Sequence, residues 1–459
     1  MATVGTPSGR LGVGALFSVS IGVIVAQIGM ISLTQGIGIG GWGFVAAMVV
    51  AFLIALANAM AYAEMALMMP SAGSLSSYAE AAIGNFPAIL LVFAGYVVPA
   101  MFGLPAELIL ADQILTRVVP FNLPAHFWPI AIIVVFAVLN ILGTDVFARV
   151  QTALSFIVLT FLVLTGIVAM SGHAHAPLAG GAAHAVASLS QDTVILGVVA
   201  LAFWVFVGSE FVTPLVPEAR NANRDLPRAM IGGLVAIFVA QMLFAIGSAF
   251  VIPRSQLVES ATPHLDYAVA TFGPSAGIWF AALALIASAS LLNTVIAAVP
   301  RMLAGMAENG QVFSILKRTH SRFGTPVLAI VFVASLPVVG LVWSGGDVTA
   351  ILPLMIAASV SWLFAYIMAQ VSLMVLRRRH PDMNRPFRVP GYPLVPLLAI
   401  AGMVYVVINS SPTPEMRPQI LRYTATVLAI FAVISGLWVK LVMKRGLFEP
   451  TAPVTHPSA

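Results

Sequence analysis

The sequence is dominated by long apolar stretches that short polar stretches separate. A helix needs roughly 20 mostly apolar residues to cross the hydrocarbon core of a bilayer. Stretches that meet this requirement are called segments 1 to 12, and the pattern predicts an all-α membrane protein with twelve transmembrane helices. In chain order they cover residues 11–36, 42–69, 86–116, 127–146, 148–171, 193–217, 227–252, 274–301, 326–344, 350–376, 392–410 and 421–443.

Glycine and proline interrupt two of these segments. Segment 1 and its outer end are rich in glycine, and segment 6 contains Gly208 followed by Pro214 and Pro217. Transporters often place their substrate site where a spanning helix unwinds and frees backbone groups. Segments 1 and 6 would be the first helices of two five-helix halves. A five-plus-five inverted repeat of this kind, followed by two extra helices, would bring both breaks to the membrane centre.

This repeat divides the chain into parts with different environments. The residues after the last segment are rich in proline and carry little apolar surface, which is typical of disorder. We therefore predict a cytoplasmic N-terminus at 1–10, a first repeat at 11–171, a second repeat at 193–376, helices 11 and 12 within 392–443, and a cytoplasmic disordered tail at 444–459.

The distribution of Lys and Arg predicts the orientation. Cytoplasmic loops carry an excess of both residues. If both termini are cytoplasmic, 17 of the 21 Lys and Arg residues lie on that side, and the outer side keeps only Arg117, Arg254, Arg417 and Arg422. An even number of spans agrees with this arrangement. We predict a multi-pass protein of the inner (plasma) membrane.

The composition excludes several classes of protein. Of the residues, 60% are hydrophobic and 8% are charged, whereas about a quarter of a soluble domain is charged. The absence of cysteine excludes disulfides and thiol chemistry. The net charge of +5 is spread over loops and does not indicate nucleic acid. No catalytic motif or P-loop is present, so we expect neither an enzyme, nor a cofactor, nor ATP-driven transport.

Three histidines, His173, His175 and His184, lie in the loop 172–192 among Ala and Gly. Zinc ligands need a held shell, so we interpret this stretch as a flexible external loop rather than a metal site.

Four carboxylates lie in or near the predicted segments. Charged groups inside a membrane are costly and are therefore usually functional or paired. No Lys or Arg lies deep in any segment, so these acids lack an obvious basic partner. Such a carboxyl can carry a proton or meet a cationic substrate. The four are Glu64, Glu107, Asp112 and Glu210.

Four stretches of the sequence resemble transporters of the amino acid–polyamine–organocation superfamily, in the same order and at similar spacing. The resemblance implies unwound helices 1 and 6, a central substrate site and alternating access without ATP. The stretches are YAEMALMMPSAGSLSSYAEAAIG at 62–84, FWVFVGSEFVTPLVPEARNANRDLPRAM at 203–230, AENGQVFSILKRTHSRFGTP at 307–326 and RRRHPDMNRPFRVPGYPLVP at 377–396.

The resemblance assigns roles to residues of segment 6. Trp204 matches an aromatic gate of the family's arginine–agmatine and putrescine antiporters, where an indole can cover a cationic amine. Glu210 matches an acid implicated in proton or amine handling, and Gly208 permits the backbone opening. Phe203 and Phe206 lie beside that opening. The alternatives are a packing role for Trp204 and a structural acid at position 210.

Segments 1 and 3 depart from the family pattern. Many members have a Gly-Ser-Gly type sequence whose amides hold the substrate carboxylate, but here Ala26, Gln27 and Ile28 precede Gly29. Bulkier side chains should crowd a carboxylate there. Glu107 lies in the outer half of segment 3, and a second acid in the cavity suits a cation. The alternative is that Glu107 is an interfacial acid.

The sequence therefore predicts a secondary transporter of a small cationic amine or polyamine. We expect proton coupling through Glu210, or exchange. An amino acid permease is the main alternative, and a sensor or channel is a remote one. Sodium is a further possible partner, since Ser288 and Ser290 on segment 8 could help hold it. A homodimer in the bilayer is also possible.

Overall fold

The computed structural model describes residues 11–118, 123–191, 193–411 and 414–453. Over these ranges the protein is helical, and its one strand-like feature is an isolated parallel bridge between Leu11 and Ala219. The predicted N-terminal part, 1–10, lies outside the described residues, as does the end of the predicted tail, 454–459.

The helices up to residue 170 correspond to predicted segments 1 to 5. A π-helical turn, Phe93–Val97, joins α5 to α6 within the third segment. The α-helices are α1 Val13–Gly22, α2 Gln27–Gly40, α3 Trp42–Met68, α4 Leu75–Ile83, α5 Asn85–Val92, α6 Val98–Phe102, α7 Leu104–Val118, α8 Phe127–Ile141 and α9 Thr144–Met170.

The remaining helices cover segments 6 to 12 and the outer loops. They are α10 Gly181–Leu189, α11 Val199–Trp204, α12 Ala222–Ser248, α13 Arg254–Glu259, α14 Pro263–Phe272, α15 Ala276–Glu308, α16 Val327–Ser344, α17 Val348–Arg379, α18 Leu394–Ile408 and α19 Arg417–Leu437. Shorter turns are 3₁₀-helical at Leu196–Val198, Ser209–Glu218 and Ser314–Lys317 and π-helical at Trp438–Met443.

The long helices identify a multi-pass membrane protein. In the described part of the chain, nine helical stretches are long and apolar enough to cross a bilayer. Helices α1 and α2 meet the same requirement as a pair bent by 62°. Helices α8 and α18 are also apolar but have only 15 residues each. They lie at the predicted segments 4 and 11.

The loop between segments 5 and 6 is more ordered than the sequence predicts. It contains α10, and three backbone hydrogen bonds, one of them from Ala176 N–H to Ala270 O at 2.9 Å, tie it to neighbouring elements. His175 N–H donates to Thr271 O at 2.9 Å, and Leu178 N–H donates to Phe250 O at 2.9 Å. These partners lie far along the chain, so local composition did not reveal them.

A buried ion pair joins the end of α3 to the end of α17. Glu64 is fully buried and accepts hydrogen bonds from Arg377 Nε at 2.8 Å and from Val389 N–H at 2.6 Å. Arg385 lies 3.4 Å from the same carboxylate. Glu64 therefore has basic partners, which lie at the end of α17 and in the connection that follows it. Its carboxylate holds this connection against α3 and does not face a substrate.

The C-terminal residues 444–453 also differ from the predicted disorder. Phe86 N–H donates to Leu447 O at 3.0 Å, and the rings of Phe86 and Phe448 meet edge to face at 5.5 Å. Arg445 lies 3.6 Å from Glu80 on α4. The aromatic contact and the backbone hydrogen bond thus dock the tail on the start of α5, and the ion pair docks it on α4. Burial raises the pKa of Glu80, although Thr451, Arg445 and Asn309 oppose this shift.

Candidate functional site

The two interrupted helices meet at their breaks. Helix α1 ends at Gly22 and α2 begins at Gln27, while α11 ends at Trp204 and the following 3₁₀ turn begins at Ser209. Gly208 has φ +123°, and a Cβ built on it would lie 2.6 Å from the Cβ of Val23. Only glycine fits both that conformation and that contact. The breaks predicted from glycine and proline are therefore real and adjacent.

Side chains from segments 5 and 8 bind carbonyl groups in the last turns of α1, next to the first break. Ser290 Oγ donates to Gly22 O at 3.1 Å, and Ser155 Oγ donates to Ser18 O at 3.0 Å. Gln151 Nε2 donates to Ser290 Oγ at 2.8 Å. Carbonyls at a helix end need such partners when lipid and protein exclude water.

Glu107 contacts the outer side of the same break. Its Oε1 accepts a hydrogen bond from the backbone N–H of Ile28, in the first turn of α2, at 3.3 Å. The side chain is only 2% exposed, and its Oε2 has no hydrogen-bond partner among the residues that the structure describes. Glu107 is thus at the level of the break and faces segment 1, which its sequence position left open.

Gln27 connects Glu107's surroundings to an outer loop. Its Nε2 lies 3.4 Å from Nε2 of His264 on α14, and its Oε1 accepts a hydrogen bond from Ser288 Oγ at 3.4 Å. Burial lowers the pKa of His264 to about 4, so this imidazole is neutral near pH 7. Sequence reasoning missed His264 because it lies in a loop between segments 7 and 8.

Glu210 lies just past the break in segment 6 and is fully buried. Tyr366 OH donates to Glu210 Oε2 at 2.5 Å and accepts a hydrogen bond from the Gly208 N–H at 3.2 Å. On the other side of the break, Gln241 Nε2 donates to Val205 O at 2.9 Å. Both the acid and the open backbone are therefore fixed by side chains of α17 and α12.

Aromatic residues enclose Glu210. Tyr62 OH and Tyr96 OH are 3.1 Å apart, and the rings of Tyr62 and Tyr366 meet at 5.9 Å. Phe211 packs edge to face with Trp362 at 5.6 Å. These rings come from segments 2, 3, 6 and 10. Sequence reasoning missed them because a tyrosine in an apolar helix carries no signal of its neighbours.

The predicted aromatic residues of segment 6 have different surroundings. Trp204 is half-buried and meets Phe203 edge to face at 6.1 Å, so its gate role stays a prediction. Phe206 is buried between Phe52 and Phe238, with ring centroids at 6.1 and 6.0 Å. This packing places Phe206 against segments 2 and 7, and its role in lining the break stays a prediction.

The remaining predicted residues are placed as follows. Ala26 is the residue before α2 and is buried, and Gly29 lies in the first turn with no close contact at its Cβ position. Asp112 is only partly buried. Ser288 and Ser290 bond to segment 1, and among the described residues no three His, Asp or Glu side chains group as metal ligands.

The sequence and fold match known transporters. The sequence profile of the amino acid permease family matches residues 11–437. The branched-chain amino acid permease BcaP of Bacillus subtilis is 26% identical over 439 residues, covering 87% of this chain and 86% of that protein. The serine/threonine exchanger SteT of the same organism is 25% identical over 411 residues, covering 86% of each.

One further sequence relative and one solved structure are also similar to this chain. The b(0,+)-type amino acid transporter 1 of Rattus norvegicus is 24% identical over 379 residues, covering 79% of this chain and 74% of that protein. A nucleobase–cation symport-1 family transporter, solved in a closed conformation with bromovinylhydantoin bound, has the same fold, with a TM-score of 0.57 and 14% identity over 94% of this chain and 97% of that one.

The sequence relatives support the hypothesis of an amino acid permease. They give no support to the cationic amine substrate that residues 26–29 and Glu107 favoured. Bulkier side chains in segment 1 favoured an amine over a substrate carboxylate, but the match to the amino acid permease family includes this segment. The resemblance found in the sequence is confirmed: the chain belongs to the amino acid permease family within the amino acid–polyamine–organocation superfamily.

Proposed function

We propose that this protein carries an α-amino acid across the plasma membrane by alternating access, with its substrate site where the breaks of segments 1 and 6 meet. The contact between Val23 and Gly208 is the observation that supports this location most strongly. Breaks at the membrane centre expose helix ends, which suit the charged groups of an amino acid.

The proposed architecture has twelve spans. The nine long helices, the bent pair α1 and α2, and the short helices α8 and α18 together supply that number. In this arrangement residues 11–171 and 193–376 form two inverted five-helix repeats, and 392–443 adds two helices. Both termini then lie in the cytoplasm, in agreement with the distribution of Lys and Arg.

We propose that contacts between the start of segment 1 and the end of segment 6 close the cytoplasmic side of the pathway. Leu11 N–H donates to Glu218 O at 3.0 Å, and Arg220 N–H donates to Leu11 O at 2.9 Å, which joins the start of segment 1 to the end of segment 6. Arg301 on α15 reaches the Glu218 carboxylate at 2.7 Å and Thr144 Oγ1 at 2.9 Å. These contacts would have to open to release substrate inside.

Glu210 is our proposed proton-coupling residue. Its carboxyl is fully buried beside the break. The Tyr366 hydroxyl donates to this carboxyl and accepts a hydrogen bond from the Gly208 N–H. A change in its protonation would alter that hydrogen bond and hence the backbone at the break. Substrate exchange without a proton and sodium coupling are the alternatives.

Cationic amines are a second candidate substrate class, and one observation favours them. Glu107 places a carboxylate on the amides of α2, where an incoming carboxylate would otherwise bind. The transport experiment therefore includes a polyamine beside the amino acids.

Uptake by proteoliposomes that contain the purified protein tests the proposal. Radiolabelled leucine, threonine, arginine and putrescine would be supplied separately, with and without an outside-acid pH gradient. We expect uptake of at least one amino acid above that of protein-free vesicles. Uptake of putrescine without any amino acid would overturn the proposed substrate class and leave the transporter assignment intact.

A further inference from the structure

The outer half of segment 1 presents an N-terminus of a helix inside the membrane. Helix α2 has 14 residues, and the residue before it, Ala26, is extended and supplies no side-chain cap. The first N–H groups of a helix lack partners within that helix and carry partial positive charge. They form a site for an anion.

The chain places one of its own carboxylates on this site. Glu107 Oε1 accepts the hydrogen bond of the Ile28 N–H at 3.3 Å, and the backbone N–H of Gln27 also faces the carboxyl. Glu107 belongs to a different segment, 79 residues away. It is therefore a tertiary occupant of the helix N-terminus rather than a local cap.

Only one of the two carboxylate oxygens is satisfied in this way. Glu107 Oε2 is buried and has no hydrogen-bond partner among the described residues. A buried, unpartnered acceptor is costly, and it is the group that a ligand N–H would satisfy. The arrangement thus offers an acceptor to a ligand ammonium group while it covers the donors that a ligand carboxylate needs.

The groups that face Glu107 do not neutralise it. Gln27 on α2 and Ser288 on α15 are uncharged, and they bond to each other. His264 on α14 reaches this cluster through Gln27 and is neutral near pH 7 because of its burial. On its own helix, the next acid is Asp112, which is only partly buried.

We propose that Glu107 is the residue that sets the discrimination between an amino acid and its carboxylate-free analogue. This rests on the proposed location of the substrate site. To bind α2, a substrate carboxylate must displace Glu107 from Ile28, and like charges at this distance repel. A substrate that carries only an ammonium group leaves Glu107 in place and donates a hydrogen bond to its unpartnered Oε2.

A purely structural role for Glu107 would behave differently. If Glu107 only caps α2, its loss weakens the fold and reduces the affinity for all ligands by a similar factor. If Glu107 competes with the substrate carboxylate, its neutralisation raises the affinity for the amino acid and lowers the affinity for the amide. The ratio of two dissociation constants separates the roles, since a general loss of affinity cancels in that ratio.

The experiment compares L-leucine with L-leucinamide and L-threonine with L-threoninamide at pH 7.5, where the ammonium groups of all four ligands are wholly or largely charged and the acids of the protein are ionised as far as the amides allow. Each pair differs only at the carboxylate. Binding would be measured with the full chain in detergent for the wild type, for Glu107→Gln and for Asp112→Asn. Glutamine keeps an oxygen for the Ile28 N–H and removes the charge. Asp112→Asn is the matched control, because it removes an acid of the same helix that does not contact α2.

The ratio is the dissociation constant of the amino acid divided by that of its amide. We expect Glu107→Gln to lower this ratio by about tenfold or more, as expected for the loss of one buried charge near the ligand. Asp112→Asn should shift it less than about twofold. Glu107→Met, which also removes the charge but supplies no hydrogen-bond acceptor, should shift the ratio in the same direction and serves if the glutamine variant does not fold.

An unchanged ratio in variants that still bind both ligands would overturn this inference and leave the proposed transport function standing. A ratio that moves toward the amide would also overturn it. Failure of the wild type to bind any amino acid, together with the absence of amino acid uptake, would instead overturn the proposed function.

Discussion

At the scale of single residues, Gly208 determines whether the two breaks can meet. Its φ of +123° suits glycine, and the Val23 side chain fills the space that any larger residue would need. This position combines a backbone requirement with a packing requirement. Either one alone would disfavour substitution.

We predict that Gly208→Ala destabilises the protein by about 1–3 kcal/mol and reduces uptake, because a strained backbone and a close contact act together. Gly232→Ala is the matched control, since nothing lies within 4 Å of a Cβ at that helical position. Thermal unfolding followed by size-exclusion chromatography measures stability. Equal stability of the two variants would contradict the assignment of Gly208.

His264 gives a prediction on pH. Its folded-state pKa of about 4 lies below its ordinary value of 6.5 because of burial. Between these values the unfolded state binds more protons, so stability falls as the pH decreases through this window. We expect the melting temperature to fall between about pH 6.5 and 4, and His264→Gln to lose part of this dependence. An identical pH profile in the variant would show that His264 does not contribute.

The candidate residues that the sequence suggested are those that depart from the usual pattern of an apolar segment, and the sequence did not suggest residues that follow that pattern. Glu107, Gly208 and Glu210 are visible because an acid or a glycine in an apolar segment is unusual. Tyr366 and His264 are ordinary in a helix and a loop. Their roles depend on which segments are neighbours, and the hydrophobic pattern of one segment does not contain that information.

At the scale of elements, the unwound part of segment 6 is held from both sides by long, continuous helices. Tyr366 on α17 binds the Gly208 amide and Glu210, and Gln241 on α12 binds Val205 O. The continuous helices thus supply the partners that an interrupted helix lacks. Glycine and proline in the sequence predicted where segment 6 breaks, but not what holds it open.

We predict that Glu210→Gln removes the acceleration of amino acid uptake by an outside-acid pH gradient, because glutamine cannot carry the proton. Exchange of labelled for unlabelled substrate across the same vesicles should continue. Tyr366→Phe should keep the pH response but weaken it, since the carboxyl remains and loses its donor. A full pH response in Glu210→Gln would assign coupling to another group.

At the scale of the whole molecule, one group of contacts joins the start of segment 1, the end of segment 6 and α15. Leu11 pairs with the residues after segment 6, and Arg301 joins α15 to Glu218. In the proposed alternating-access cycle, these contacts break when the protein opens on this side. The sequence predicted two matching halves, but a single sequence does not encode which side is closed.

We predict that Arg301→Gln increases opening toward the cytoplasm. The chain contains no cysteine, so Val216→Cys, which places one thiol in the buried cytoplasmic half of segment 6, reports opening without background. Its reaction with a maleimide added from the cytoplasmic side should be faster in the Arg301→Gln background. An unchanged rate would mean that the Arg301–Glu218 pair does not hold this side closed.

The central claim is that an amino acid binds where the two interrupted helices meet. Val23→Cys puts a single thiol at that point, and a thiol at Ser188 in the outer loop helix α10 is the control. The account predicts that a transported amino acid slows the maleimide reaction of the thiol at position 23 and not that of the control. If the amino acid is taken up by the Val23→Cys protein and the thiol still reacts at an unchanged rate under saturating substrate, the site lies elsewhere.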